Sequence, residues 1–161
     1  MLRSGSRDDH SRAQAPASPI DRPAVRVILD TNVLVSALMT RGTPPDQLYQ
    51  EWRQGRIALV SCEAQLEELR RVLARPFFRE RIKRSEAGGM VNSIRRLALM
   101  WSLLPAPEVS DDPDDDYLLA LAQMSGADYL VTGDKGHLLT LGSYGSAKIV
   151  AARELTEHLG R

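Results

Sequence analysis

The sequence VRVILDTNVL, at residues 25–34, decides the fold class. Its apolar run from Val25 to Leu29 ends directly in Asp30. Such a short apolar run is typical of a strand that is buried on both faces of a parallel sheet. A short helix is expected to follow over Asn32–Met39. The stretch therefore predicts a strand, a helix and a carboxylate at their junction.

Strands and helices alternate along the rest of the chain. The pattern predicts further strands at 57–60, 101–104, 129–132 and 148–150, and helices at 44–55, 62–74, 78–99, 113–126 and the C-terminus. Ser61 and Asp112 are the predicted N-caps of the helices that follow them. Alternation with short connections predicts an α/β fold with a mainly parallel sheet of about five strands and helices on both faces.

Composition limits the class of protein. A length of 161 residues, 43% of them hydrophobic, suits one domain, which we place at 25–161. Apart from Met1, residues 1–24 hold only two large apolar residues, so we expect a disordered extension or a start site placed too early. The single cysteine excludes a disulfide framework and fits a cytoplasmic protein. No apolar run reaches about 18 residues, so no membrane span is expected.

Two acids stand at the expected carboxyl ends of strands. Asp30 follows the first strand, and Asp134 follows the strand at 129–132. In an open α/β sheet, ligands collect at this edge. The alternatives are that Asp30 caps the next helix and that Asp134 belongs to an ordinary turn.

A third acid is Glu68, in the helix predicted at 62–74. Helical geometry places Glu67 opposite the apolar stripe and Glu68 on its border, beside Val72. A carboxylate at the border can reach inward, so Glu68 is the candidate and Glu67 a surface acid. The alternative is a helix that merely carries several charges.

A fourth acid comes from the Asp-rich run before residue 117. Asp115 lies three and four residues before Leu118 and Leu119, and therefore shares the inward face of their helix. Its neighbours Asp114 and Asp116 flank that face and remain alternatives. An acid near a helix start also complements the helix dipole, but an inward carboxylate still needs a partner.

A metal ion would supply that partner. Four carboxylates near one sheet edge repel each other unless a counter-charge is present. An oxygen-rich site without clustered Cys or His favours Mg²⁺ or Mn²⁺ over Zn²⁺. The residues alone thus predict an acidic metal site without naming its reaction.

Four segments in this order resemble PIN-domain ribonucleases, particularly the PIN-family toxins of bacterial toxin–antitoxin systems, including the VapC type. The segments are VILDTNVL at 27–34, LEELRRVL at 66–73, DPDDDYLLALA at 112–122 and ADYLVTGD at 127–134. The resemblance spans about Val25 to Val150. It implies a three-layer α/β/α sandwich, RNA cleavage with Mg²⁺ or Mn²⁺, homodimerisation and an inhibitory antitoxin. The extension at 1–24 departs from the compact toxins.

The resemblance also implies roles for individual residues. Asp30, Glu68, Asp115 and Asp134 match the family's acids, and Asp30, Asp115 and Asp134 are the expected metal ligands. Thr31 and Thr132 match polar positions beside the acids, and Asn32 fits the opening motif in a supporting role.

Although the formal net charge of the chain is zero, its acidic and basic residues are concentrated in different segments. The basic segment supplies candidate RNA contacts. Residues 108–116 carry six acids and no base, whereas residues 70–84 carry seven bases and one acid. A basic segment beside an acidic metal site can track phosphates, although a solvated helix face is the alternative. The expected contacts are Arg70, Arg71, Arg75, Arg79, Arg81, Lys83 and Arg84.

Two other functions compete with RNA hydrolysis. A haloacid dehalogenase-type phosphatase also places an Asp after its first strand, but it needs a second Asp where Asn32 stands. A non-catalytic RNA-binding or phosphoacceptor module would keep the acids without turnover. A small reading frame beside the gene would favour a toxin, and its absence a housekeeping nuclease.

Overall fold

Strands and helices alternate along the computed structural model, which describes residues 24–102, 113–133 and 138–160, with the backbone alone at 113–116. All but one residue of the predicted extension lie outside these ranges, and the domain boundary stays a prediction. The elements are β1 Arg26–Leu29, α1 Thr31–Met39, α2 Pro44–Arg53, β2 Ala58–Cys62, α3 Glu63–Leu73, α4 Pro76–Arg79, α5 Arg84–Leu97, β3 Leu99–Trp101, α6 Pro113–Ser125, β4 Tyr129–Val131, α7 Leu138–Leu141, β5 Ser143–Tyr144, β6 Ala147–Val150 and α8 Ala152–Leu159.

The strands form one six-stranded sheet in the order β3-β2-β1-β4-β6-β5. All neighbours are parallel except β5 and β6, which pair antiparallel. The predicted number of about five strands missed β5, a two-residue strand in a polar segment. It exists because the turn at Gly145, with φ of +62°, folds it back onto β6.

Helices cover both faces of the sheet, which confirms the predicted α/β fold with its three-layer sandwich. In β1, Val27 and Leu29 pack into one apolar cluster with α1, α2, α3, α5 and α8. Ile28, which points to the opposite face, joins a second cluster with α6 and α7. β1 is thus buried on both faces, as its apolar run predicts. In the described part of the chain, no helix has the length and apolar character to cross a membrane.

Two predicted elements between residues 76 and 104 were wrong in their bounds. The single helix expected over 78–99 is two helices, α4 and α5, because the backbone at Lys83 is extended. The strand expected at 101–104 lies at Leu99–Trp101, where Leu99 pairs with Val60 and Trp101 with Cys62. Pairing with β2, rather than local composition, therefore sets the position of β3.

A buried glutamine ties α3 to the neighbouring strands β1 and β2. The Gln65 side chain is fully buried, and its Nε2 donates to the carbonyl oxygen of Leu29 at 2.6 Å. Its Oε1 accepts a hydrogen bond from Ser61 Oγ at 2.6 Å. Ser61 therefore does not cap α3 as predicted, and the N-cap position belongs to Cys62. Gln65 fixes α3 against the residue that immediately precedes Asp30.

We expect Gln65→Leu to lower the free energy of unfolding by about 2–4 kcal/mol, since it leaves two buried polar groups without a partner. Chemical denaturation monitored by circular dichroism measures the change. The control is Gln50→Leu, because Gln50 is exposed and its side-chain hydrogen bond is long at 3.4 Å. Equal destabilisation by the two variants would show that the buried bridge has no special role.

Candidate functional site

Sheet register brings the ends of β1 and β4 together. Leu29 pairs with Val131, and the backbone N–H of Asp30 donates to the carbonyl oxygen of Val131 at 2.9 Å. The next residue of each strand is therefore Asp30 on one side and Thr132 on the other. The Thr132 hydroxyl donates to Asp30 Oδ2 at 2.8 Å.

Asp30 is a buried carboxyl group, with 8% of its surface exposed. Burial raises the pKa of Asp30 above its ordinary value, because the charged form loses hydration. The hydrogen bond from Thr132 partly offsets this rise, and the nearby charge of Glu68 adds to it. Asp30 occupies the N-cap position of α1 without making a full side-chain capping bond, and the backbone N–H groups of Thr31 and Asn32 also oppose the rise in its pKa.

Glu68 reaches the same place from α3. It is half-buried, whereas Glu67 is exposed, in agreement with the face predicted for each. The hydroxyl of Thr31, the first residue of α1, donates to Glu68 Oε1 at 2.7 Å. Thr31 thus links Glu68 to the residue that follows Asp30.

Tyr117 is a member of the site that the sequence did not reveal. Its hydroxyl donates to Glu68 Oε1, the same oxygen that Thr31 binds, and lies 3.3 Å from Thr31 Oγ1. Burial, reinforced by the bond to Glu68, raises the pKa of Tyr117, so its hydroxyl stays protonated. The available signal was a tyrosine among the core residues of its helix, whose buried hydroxyl needs a partner.

The other three predicted site residues are Asn32, Asp115 and Asp134, and the structure describes them to different extents. Asn32 is exposed in the first turn of α1. Asp115 lies in the first turn of α6, two residues before Tyr117, and its side chain is not described. Asp134 lies outside the described residues. The site therefore brings together Asp30, Thr31, Glu68 and Thr132 of the predicted set, with Tyr117 in addition.

The chemistry of this donor set fits a divalent cation. Asp30 and Glu68 present carboxylate oxygens, and in the described part of the chain neither forms an ion pair with Lys, Arg or His. Carboxylate oxygens are the ligands that Mg²⁺ and Mn²⁺ prefer. Among the described side chains, no group of three His, Cys, Asp or Glu residues forms a metal site by itself.

The seven basic residues at 70–84 are all exposed, on α3, α4, α5 and the segments that join them. Four of them line one groove: Arg70, Arg79, Lys83 and Arg84. Arg81 instead donates to the carbonyl oxygen of Phe77 at 2.8 Å, and its guanidinium lies 3.8 Å from the centre of the Phe77 ring.

Fold and site together define a class of protein: a parallel α/β domain with an acidic site at the carboxyl edge of its sheet. A family model described as the PIN domain matches residues 26–136. The chain therefore belongs to the PIN-domain family, whose members are generally metal-dependent nucleases. A comparison with curated proteins finds no match.

We expect Tyr117→Phe to weaken Mn²⁺ binding by about 10-fold, because partners that orient a ligand typically contribute about 10–100-fold to metal affinity. Thr31 would still hold Glu68, which keeps the expected loss at the lower end. Isothermal titration of the metal-free protein measures the affinity. The control is Tyr49→Phe, since the Tyr49 ring packs against Trp52 in the other apolar cluster. If Tyr117→Phe binds Mn²⁺ as tightly as the wild type, Tyr117 does not orient Glu68 for metal binding.

Proposed function

We propose that this PIN domain is a Mg²⁺- or Mn²⁺-dependent endoribonuclease and the toxin of a type II toxin–antitoxin system. The observation that carries the nuclease assignment is the pairing of buried Asp30 with Glu68 at the carboxyl edge of a PIN domain. RNA as the substrate, the identity of the metal and the toxin role rest on the resemblance of the four motifs.

The four acids have different roles in this proposal. Asp30, Asp115 and Asp134 hold the metal, and Glu68 either joins them as a ligand or orients the attacking water. When bound, the divalent ion lowers the pKa of water and neutralises charge that develops on the phosphodiester. Asp114, three residues before Tyr117, and Asp116 are the alternatives to Asp115.

Hydroxyl groups keep the two described acids in place. Thr132 holds one oxygen of Asp30, while Thr31 and Tyr117 both hold Oε1 of Glu68. Glu68 is thereby fixed through one oxygen and can use Oε2 toward water or a cation. Attack by water on phosphorus breaks the bond to the 3′-oxygen, which takes up a proton. The products are a 5′-phosphate and a 3′-hydroxyl.

The same proposal implies two protein partners, an antitoxin and a second copy of this chain. An antitoxin protein would inhibit the enzyme by covering its site. A groove of about 530 Å³, lined by Asn32, Met39 and Phe78 among others, offers it a surface of mixed polarity. A homodimer would cover some of the exposed large apolar side chains, which include Phe77, Leu97 and Leu141. Since its target is RNA and its cysteine is a buried free thiol, we place the protein in the cytoplasm.

We expect Asp30→Asn and Glu68→Gln each to reduce Mn²⁺-dependent cleavage of a defined RNA by about 100-fold or more, since both changes remove a carboxylate from the site. Glu67→Gln is the matched control, because Glu67 is the exposed neighbour of Glu68 on the same helix. Gel analysis of the products, with mapping of their ends, measures the rate and the chemistry.

Three outcomes would contradict this assignment. Full cleavage by folded Asp30→Asn would show that the acid is not part of the machinery. A phosphoenzyme formed on Asp30 would favour a phosphatase, and RNA binding without turnover at any metal concentration would favour a non-catalytic module.

RNA affinity should fall as salt rises, because the basic residues at 70–84 would displace counterions from the RNA backbone. If four of these residues contact phosphates, the logarithm of the affinity for single-stranded RNA falls with the logarithm of the salt concentration, with a slope of about −3. Fluorescence anisotropy with EDTA present, from about 50 to about 400 mM KCl, measures the slope without cleavage. RNA affinity that does not change with salt concentration would show that these basic residues do not contact phosphates.

A further inference from the structure

Helix α3 holds the chain on either side of Asp30. Nε2 of Gln65 donates to the carbonyl oxygen of Leu29, the residue before Asp30, at 2.6 Å. The hydroxyl of Thr31, the residue after Asp30, donates to Glu68 Oε1 at 2.7 Å. Gln65 and Glu68 are three residues apart, so they lie on the same side of α3, one turn from each other. One helix thus contacts the chain both before and after the buried carboxyl group.

The peptide group between Leu29 and Asp30 is fixed from two directions. Its carbonyl oxygen accepts a hydrogen bond from Gln65 of α3, and its N–H donates to the carbonyl oxygen of Val131 in β4 at 2.9 Å. The donor to the carbonyl is the amide NH2 of Gln65, because a carbonyl oxygen can only accept. The peptide group is planar and includes the Cα atom of Asp30, so its orientation sets the direction in which the carboxyl group leaves the strand.

Gln65 bridges β1 and β2 where their pairing ends. The pairing runs to Val27 and Leu59, two residues before the end of β1. At that register Leu29 would lie opposite Ser61, and Gln65 connects these two residues through its two polar atoms. The Gln65 side chain is fully buried, so water cannot replace either hydrogen bond. The amide therefore links the two strands at the edge of the sheet where the acids lie.

We propose that Gln65 is a positioning residue for the candidate site: its bond to Leu29 holds Asp30 where a cation can be shared with Glu68. The inference rests on the proposed metal-dependent nuclease function and adds to it a residue that acts without contacting metal or RNA. A role confined to stability would lower activity only as far as it lowers the folded fraction. A positioning role lowers metal affinity and kcat in protein that is fully folded.

Gln65→Met tests this role, because methionine is similar in length and lacks the amide. Leu155→Ala is the matched control for stability. Leu155 is also buried, and it lines a groove with Tyr129, at the end of β4 away from Asp30. Both variants should lower the midpoint of thermal unfolding. Ser61→Ala is a milder second variant, because it removes only the hydroxyl that orients the amide.

Amide hydrogen exchange in the metal-free, full-length protein gives the first readout. We expect Gln65→Met to accelerate exchange of the Asp30 amide by about 10-fold more than that of the Asp128 amide. The Asp128 amide donates to Arg26 at the other end of β1. Leu155→Ala should not accelerate the Asp30 amide preferentially. Equal acceleration of both amides in Gln65→Met would show that Gln65 does not hold Asp30 locally, and would overturn the proposal.

Mn²⁺ affinity and cleavage kinetics give the second readout, at a temperature where circular dichroism shows each variant to be folded. We expect Gln65→Met to weaken Mn²⁺ binding and lower kcat by about 10–100-fold, with KM for RNA within about 3-fold of wild type. Ser61→Ala should lower Mn²⁺ affinity and kcat by about 3-fold, and Leu155→Ala should keep the wild-type values. If Gln65→Met does not fold, wild-type values in Ser61→Ala would overturn the proposal.

Failure of the positioning role and failure of the enzyme assignment have different signatures. Mn²⁺-dependent cleavage by wild type, with equal losses in Gln65→Met and Leu155→Ala or with none in Gln65→Met, would overturn the positioning role and leave the ribonuclease standing. Wild type that neither binds Mn²⁺ nor cleaves RNA would overturn the proposed function. Preferential exchange of the Asp30 amide in Gln65→Met would then still support the local hold of Gln65 on Asp30.

Discussion

The buried carboxyl group of Asp30 is the constraint around which the site is built. Removing a carboxylate from water is costly unless hydrogen bonds or a positive charge compensate. Thr132 supplies one hydrogen bond, but Glu68 places a second acid nearby, and burial raises the pKa of Asp30. β1, the central strand that ends at Asp30, lies between β2 and β4 and is packed on both faces. The fold thus holds two acids together where a cation can neutralise both.

Local sequence periodicity predicted the parts of the site that depend on single elements. The burial of β1 on both faces follows from its continuous apolar run, and the placement of Glu68 at the edge of the apolar stripe of α3 follows from the 3.6-residue helical repeat. Contacts between elements were harder to predict from the sequence. The hydrogen bond from Tyr117 to Glu68 joins residues 49 positions apart. The position of β3 is set by its pairing with β2. Ser61 shows the same limit, because its hydroxyl bonds Gln65 rather than capping α3. The catalytic and metal-binding roles of all four acids remain predictions.

The zero net charge of the chain conceals two stretches of opposite charge in the sequence. Acids are concentrated before and within the first turn of α6, and bases along the end of α3, α4 and the start of α5. A nucleic-acid substrate needs both, since a metal held by acids meets one phosphodiester and the bases meet its neighbours. Net charge alone would have argued against such a substrate, whereas the distribution of charge supports one.

The central claim is that the acids at the end of β1 hold a divalent cation. Anomalous X-ray diffraction from crystals of the full-length protein grown with Mn²⁺ tests it most directly. We predict an anomalous peak within coordination distance of Asp30, about 2.1 Å from a carboxylate oxygen. An occupied Mn²⁺ site elsewhere, with no peak beside Asp30, would contradict the account.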